Sequence, residues 1–137
     1  MTPTILCVDD DTGITHMLED CLGALGFRVR TAATVLSALK VVRTTKVDLI
    51  ILDVFLPDVD GYGFLELLKQ ESHNRGVPVI VSSGYASEEA RSLAIQHGAA
   101  AYLQKPFQLQ QLFSLLRWML APPETEPESL GLALAAS

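Results

Sequence analysis

Five short apolar runs, each followed by a stretch with helical periodicity, constrain the fold of this chain more than any other feature. The runs cover residues 4–8, 27–31, 48–52, 77–82 and 100–103. Strands of this length that alternate with helices predict a parallel sheet covered by helices on both faces. We therefore expect an α/β fold whose right-handed crossovers bring the carboxyl ends of the strands to one edge.

The helical segments between these runs carry recognisable start and stop signals. The first is predicted over residues 12–25, and the last over residues 107–120, before two prolines. Thr34, Asp60 and Ser87 have side chains that favour the start of the three helices between them. The second apolar run alternates polar and apolar residues, which predicts an edge strand.

Length and composition predict one domain, residues 1–121, followed by a flexible tail, residues 122–137. The chain has 137 residues, of which 49% are hydrophobic and 19% charged, so it can bury a core. Its net charge of −6 is unfavourable for direct binding of nucleic acid or of an anionic membrane. We expect no secretory signal and no membrane insertion, since apolar stretches are short, and two free cysteines favour the cytoplasm.

The predicted tail changes composition along its length. It begins rich in proline and glutamate and ends in the small apolar sequence SLGLALAAS. Such an end is compatible with a signal read by a protease, with a docking peptide and with an inert terminus. The sequence leaves these three alternatives open.

Charged and hydroxyl side chains follow four of the predicted strands. Asp9 and Asp10 follow the first strand, and Asp53 follows the third. Ser83 ends the fourth strand, and Lys105 follows the fifth. Because the carboxyl ends of parallel strands lie at one edge of a sheet, we expect these side chains to converge there.

A cluster of three carboxylates needs compensation. Two such charges about 4 Å apart repel by roughly 4 kcal/mol at an effective dielectric constant of 20. Either a carboxylate takes up a proton or a divalent cation binds, and an all-oxygen site suits a hard ion such as Mg²⁺. A carboxylate beside Mg²⁺ and a fixed lysine is a good phosphoryl acceptor, so Asp53 is the candidate nucleophile.

With these residues in place, residues 3–120 resemble the receiver domain of two-component response regulators. The segments that carry the resemblance are ILCVDDD, DLIILDVFLPDVDG, PVIVSSGYA and GAAAYLQKPF. The resemblance implies a flavodoxin-like (βα)5 fold, a doubly wound parallel sheet with strand order 2-1-3-4-5. It also implies that Asp53 is phosphorylated, with Ser83 and Lys105 as its catalytic partners.

The resemblance further implies a ligand set for Mg²⁺. Asp10, Asp53 and the backbone carbonyl of Phe55 are expected to hold the ion, with Asp9 acting through water. Ser83 and Tyr102 are expected to form the switch that responds to phosphorylation.

Two aromatic side chains occupy positions that tune the lifetime of the acyl phosphate in this family. They are Phe55, two residues after the acceptor, and Tyr85, two residues after Ser83. Two bulky rings at these positions are expected to shield the acyl phosphate from water.

The implied partners are proteins. A sensor histidine kinase or a histidine phosphotransfer protein is expected to donate the phosphoryl group, and an unknown downstream protein to receive the signal. We expect a stand-alone receiver that catalyses only its own phosphorylation and dephosphorylation, and that binds no nucleic acid directly.

Three other functions compete with this interpretation. A phosphatase of the haloacid dehalogenase type needs a second acid two residues after Asp53, where Phe55 stands. A nucleotide-binding domain needs a Gly-rich phosphate loop where the acidic triplet lies. A pseudo-receiver, a binding module that is never phosphorylated, is expected to lack at least one of the key acidic or lysine residues, and none is lacking.

The last predicted helix has a candidate interaction surface. Its inward face is predicted to consist of Leu109, Leu112, Phe113, Leu116 and Leu120. Trp118 then lies on nearly the opposite side, flanked by Leu115, and tryptophan is enriched at interface hot spots. Either a partner or second copy docks on Leu115 and Trp118, or the tail folds back over them.

Overall fold

A parallel five-stranded sheet organises the part of the chain that the computed structural model describes, residues 2–58, 60–71, 73–85 and 87–120. Its strands are β1 (Thr4–Val8), β2 (Arg28–Ala32), β3 (Leu49–Asp53), β4 (Val79–Ser83) and β5 (Ala101–Gln104). They pair in the order β2-β1-β3-β4-β5, which confirms the predicted fold class and topology. β2 is the more exposed edge strand that its alternation predicts.

A helix follows each strand. The helices are α1 (Thr12–Ala24), α2 (Val35–Thr44), α3 (Gly61–Leu68), α4 (Glu88–Gln96) and α5 (Leu109–Met119). The caps Thr34, Asp60 and Ser87 are confirmed, because each side chain accepts a hydrogen bond from a backbone N–H in the first turn. Element ends differ from the predictions by one or two residues. No described helix is long and apolar enough to cross a membrane.

Two hydrophobic clusters lie on opposite faces of the sheet. Alternate residues of β1, β3, β4 and β5 point to each face, so every central strand contributes to both clusters. On one face they pack against α2, α3 and α4, and on the other against α1 and α5. This double cover explains why the central strands are apolar throughout, and it leaves the strand ends as the place for polar chemistry.

The prediction that Leu115 flanks an exposed surface is wrong. Leu115 is 0% exposed and packs in the cluster beneath α1 and α5, together with Leu112 and Leu116. The apolar positions of α5 span more than one side of the helix, so the sequence fits two helix phases that differ by a fraction of a turn. The sheet selects the phase that buries Leu115.

Trp118 is partly exposed near the end of α5, so its role as a contact for a partner or a second copy stays a prediction. The tail, which was the alternative cover for this side chain, lies outside the described residues. The same holds for the proposed functions of its apolar end.

Gly61 is the first residue of α3 and packs against the backbone of the loop that follows β3. Its N–H donates to Val54 O at 2.8 Å, and a Cβ there would lie 2.5 Å from Val54 Cα. Because backbone cannot yield as a side chain can, we expect Gly61→Ala to lower the free energy of unfolding by about 1–3 kcal/mol in urea titrations.

Gly23 provides the matched control for this substitution. It lies in α1, and a Cβ there would meet no heavy atom within 4 Å. Gly23→Ala should therefore raise stability by about 0.5–1 kcal/mol, since alanine favours the helix. Equal effects of the two substitutions would contradict the steric explanation.

Candidate functional site

The carboxylates of Asp9, Asp10 and Asp53 meet at the carboxyl edge of the sheet. Asp9 and Asp10 follow β1, Asp53 is the last residue of the neighbouring strand β3, and one oxygen of each lies within 4.8 Å of the others. Asp9 and Asp53 are buried at 6% and 9% exposure, whereas Asp10 is exposed. The sheet therefore concentrates negative charge at one point, partly out of water.

Lys105 brings a positive charge to this cluster from the far side of the sheet. Its Nζ donates to Asp9 Oδ2 at 2.7 Å and to Asp53 Oδ2 at 3.1 Å. The side chain is 19% exposed, so the two ion pairs are shielded from bulk water. One ammonium thus bridges the ends of β1 and β3.

Burial and pairing shift the pKa values of two of these groups. Burial raises the pKa of Asp9, and the hydrogen bond from Lys105 offsets this only in part. Burial alone lowers the pKa of Lys105, but its hydrogen bonds to the two aspartates outweigh that effect, so its pKa is raised. Lys105 therefore stays charged at neutral pH, and the raised pKa of Asp9 comes mainly from its burial.

Asp53 is held in position by the loop that follows it. Its Oδ1 accepts a hydrogen bond from the backbone N–H of Phe55 at 2.9 Å, while its Oδ2 accepts from Lys105. Both oxygens are thus oriented, as a nucleophile on a rigid strand end requires. The predicted role of the Phe55 carbonyl as a metal ligand stays a prediction.

The donor set at this edge fits a hard divalent cation. The candidate ligand atoms are carboxylate oxygens, with no thiolate or imidazole among them, as Mg²⁺ prefers. Asp9 and Asp53 each accept hydrogen bonds on both carboxylate oxygens, one of them from Lys105 in each case. Each of these oxygens keeps a further lone pair, and Asp10 is exposed, so all three residues can contribute to holding the ion.

Ser83 and Tyr102 are linked through one residue, Tyr85. The Ser83 hydroxyl accepts a hydrogen bond from the N–H of Tyr85 at 3.2 Å, and the Tyr102 hydroxyl donates to the Tyr85 carbonyl. Tyr102 is only 3% exposed, with the Arg91 guanidinium 5.6 Å from the centre of its ring. The ring is therefore buried in this structure, and the switch role of Ser83 and Tyr102 stays a prediction.

The rings of Phe55 and Tyr85 contact each other at the mouth of the site. Their centroids are 5.0 Å apart with an interplanar angle of 42°, and both side chains are more than half exposed. The pair joins the loop after β3 to the loop after β4. Because the N–H of Phe55 also donates to Asp53, the ring contact lies close to the acceptor in the chain, and its shielding role stays a prediction.

Sequence reasoning missed the roles of two further aspartates. Asp11 belongs to the acidic triplet but caps α1, since its Oδ1 accepts from Gly13 and Ile14. Asp58, in the loop after β3, accepts from the N–H groups of Val35 and Leu36 at 3.0 and 3.1 Å. The helix signal around residue 12 could have identified Asp11. No local signal could have identified Asp58, whose partners lie 22 and 23 residues away.

Comparisons with known proteins agree with this geometry. The family model "Response regulator receiver domain" matches residues 5–117. The chain is 42% identical over 113 residues to the KDP operon transcriptional regulatory protein KdpE of Escherichia coli K12, covering 82% of this chain and 49% of KdpE. It is 34% identical over 129 residues to the two-component response regulator ORR24 of Oryza sativa subsp. indica, covering 93% and 20%. The chain spans about half the length of KdpE, and a fifth of ORR24.

Solved structures show the same architecture. A CheY-like receiver domain protein of Methanospirillum hungatei JF-1 has 28% identity and a TM-score of 0.78, with 100% of both chains covered. The receiver domain of a sensor histidine kinase of Pseudomonas aeruginosa PAO1 has 29% identity and a TM-score of 0.80, with 89% and 100% covered. That receiver domain holds a magnesium ion in its active-site cleft.

Proposed function

The chain belongs to the response regulator receiver domain family, and we propose that its Asp53 accepts a phosphoryl group from a phosphohistidine of a partner protein. The donor is a sensor histidine kinase or a histidine phosphotransfer protein. The chain catalyses only the gain and loss of its own phosphoryl group. Its free cysteines are compatible with the cytoplasm as the place of action.

One observation carries this proposal. Asp53 is a buried carboxylate, oriented by a backbone N–H, that lies beside two more carboxylates and within 3.1 Å of a lysine ammonium. A carboxylate with a purely structural role gains nothing from two like charges nearby. A phosphoryl acceptor benefits from the neighbouring carboxylates, because their oxygens would hold the cation that the transfer needs.

The transfer is a displacement at phosphorus. An oxygen of Asp53 forms the new P–O bond as the P–N bond to the donor's imidazole breaks, and the bonding electron pair leaves with the imidazole nitrogen. Lys105 opposes the negative charge of the phosphoryl oxygens throughout. Asp9, Asp10 and Asp53 would hold Mg²⁺, which would supply further charge neutralisation.

The proposed response uses Ser83 and Tyr102. The Ser83 hydroxyl accepts from Tyr85, so its own proton is available to a phosphoryl oxygen. A new bond there pulls on the Tyr85 segment, to which Tyr102 is tied. We infer that phosphorylation changes the surface around α4 and β5, and that a downstream protein reads this change.

Small phosphodonors test the proposal without the unknown kinase. Incubation with acetyl phosphate and Mg²⁺ should add a single phosphoryl group, seen by intact-mass spectrometry, and EDTA should prevent it. If no mass is gained and a beryllofluoride–Mg²⁺ mixture does not bind either, the chain is a binding module that is never phosphorylated.

The aromatic pair predicts the lifetime of the phosphorylated form. Replacing both Phe55 and Tyr85 by alanine removes a ring contact of about 1 kcal/mol, so water should reach the acyl phosphate more often. We expect loss of the phosphoryl group to become about fivefold faster. The decay of phosphorylated protein after donor removal, followed by mass, measures this rate.

Leu25→Ala serves as the control for the double substitution. Leu25 is as exposed as the two aromatic residues, at 55%, but lies at the end of α1. Its replacement should leave the decay rate unchanged. A decay rate in the double variant equal to that of the wild type would contradict the shielding role.

A further inference from the structure

Ser82 presents a buried hydroxyl that lacks a hydrogen bond. The residue is 3% exposed, and its Oγ is the one buried side-chain polar atom without a partner among the described residues. A buried hydroxyl in this condition is unfavourable, and apolar replacement of such a group is often neutral or stabilising. An unpaired polar group in the middle of a sheet therefore calls for an explanation.

The strand register places this hydroxyl on the reactive face of the sheet. Ser82 pairs with Asp53 of β3 on one side and with Leu103 of β5 on the other. Side chains alternate along strands, and Ile80 and Leu103 both belong to the cluster covered by α1 and α5. Ser82 therefore faces α1 and α5, on the same side as Asp53, whose strand neighbour Ile51 belongs to that cluster too.

Lys105 must pass over β4 to reach its partners. It follows β5, its N–H donates to Ser83 O, and its Nζ contacts Asp53 on β3 and Asp9 beyond β1. β4 lies between β5 and β3 in the sheet. The lysine side chain thus extends across the end of β4, one strand spacing of about 4.8 Å on each side, to reach Asp53, the register partner of Ser82.

We propose that Ser82 is a positioning residue for Lys105 in the phosphorylated protein, an inference that rests on the function proposed above. An ammonium has three donors, and two of them now bond to Asp9 and Asp53. When Asp53 carries a phosphoryl group, Lys105 releases Asp53 Oδ2 and turns to a phosphoryl oxygen. The Ser82 hydroxyl then accepts a hydrogen bond from Nζ and holds the ammonium over β4.

Ser83 cannot serve this purpose, because it points the other way. Ser83 lies two residues after Val81, which belongs to the cluster beneath α2, α3 and α4, and its hydroxyl accepts a hydrogen bond from the N–H of Tyr85. The two adjacent serines thus divide the response between the faces of the sheet. Ser83 acts on the Tyr102 side, and Ser82 acts on the Lys105 side.

The experiment compares variants that differ only in the hydroxyl. Ser82→Thr and Ser82→Val have nearly the same shape, and Ser82→Ala removes the hydroxyl without adding bulk. Each variant is titrated with beryllofluoride, a mimic of the phosphoryl group, in the presence of Mg²⁺. Its thermal unfolding is measured with and without the mimic.

We expect opposite effects in the two forms. Without the mimic, Ser82→Ala should unfold at the same or a higher temperature than wild type, since an unpaired hydroxyl is removed. In the titration, Ser82→Thr should bind beryllofluoride about tenfold more tightly than Ser82→Val. This ratio corresponds to one hydrogen bond to a charged group. A merely structural serine would change both forms in the same direction.

Two results would overturn the inference. Equal affinities of Ser82→Thr and Ser82→Val, with wild type binding normally, would remove the role of Ser82 and leave the proposed function intact. Failure of the wild type to bind beryllofluoride, and to gain mass from acetyl phosphate, would remove both.

Discussion

Asp53→Asn is expected to abolish phosphorylation of this protein completely. The amide keeps the size of the carboxylate and an oxygen that can accept the Phe55 N–H, now 2.9 Å from Asp53 Oδ1. It lacks the anionic oxygen that attacks phosphorus. The fold should therefore persist while the acceptor is lost. Intact mass after incubation with acetyl phosphate and Mg²⁺ measures phosphorylation, and circular dichroism verifies folding.

Asp20→Asn is the matched control, because it removes the same charge from an exposed position on α1. It should gain the same mass as wild type at the same rate. If Asp53→Asn were labelled as fully as Asp20→Asn, the acceptor would be a different residue and the proposed function would fail at its centre.

Lys105→Met should produce two large effects of opposite sign. The rate of phosphorylation should fall about 10²–10³-fold, the usual loss when one preorganised charge at a reacting centre is removed. Affinity for Mg²⁺ should rise about tenfold or more, since a positive charge a few ångströms away no longer repels the cation. Mass-based kinetics measure the first effect, and titration calorimetry in Mg²⁺ measures the second.

Lys69→Met controls for loss of a lysine charge elsewhere. Lys69 lies on the surface, where its Nζ pairs with Glu66 at 3.0 Å and 53% of its side chain is exposed. It should change neither quantity. If Lys105→Met lowered both the phosphorylation rate and the Mg²⁺ affinity, the carboxylates would have moved apart. Lys105 would then have a structural role and would not take part in the transfer.

The sequence alone was sufficient for the architecture and for the main residues of the site. Run lengths and periodicity are local properties, and they determine where strands and helices form. The right-handed crossover then brings strand ends together, so the sequence alone places Asp9, Asp10, Asp53 and Lys105 at one edge. The contacts at 2.7 and 3.1 Å between Lys105 and two aspartates agree with that placement.

Other features depend on residues far apart in the chain. The phase of α5 is decided by the sheet beneath it, and this buries Leu115, which the phase predicted from the sequence placed on the outer side. The link from Asp58 to α2, and the burial of Tyr102 against the Tyr85 carbonyl, join segments that share no sequence pattern.

The two serines at the end of β4 show the boundary between these kinds of information most clearly. The end of the fourth predicted strand and the family resemblance identified Ser83, but neither assigned a role to the neighbouring hydroxyl of Ser82. Only the tertiary structure shows that the Ser82 hydroxyl is buried without a partner, and that it lies in register with Asp53 and Leu103. A hydrogen bond depends on where two atoms meet in space, which periodicity along one strand does not encode.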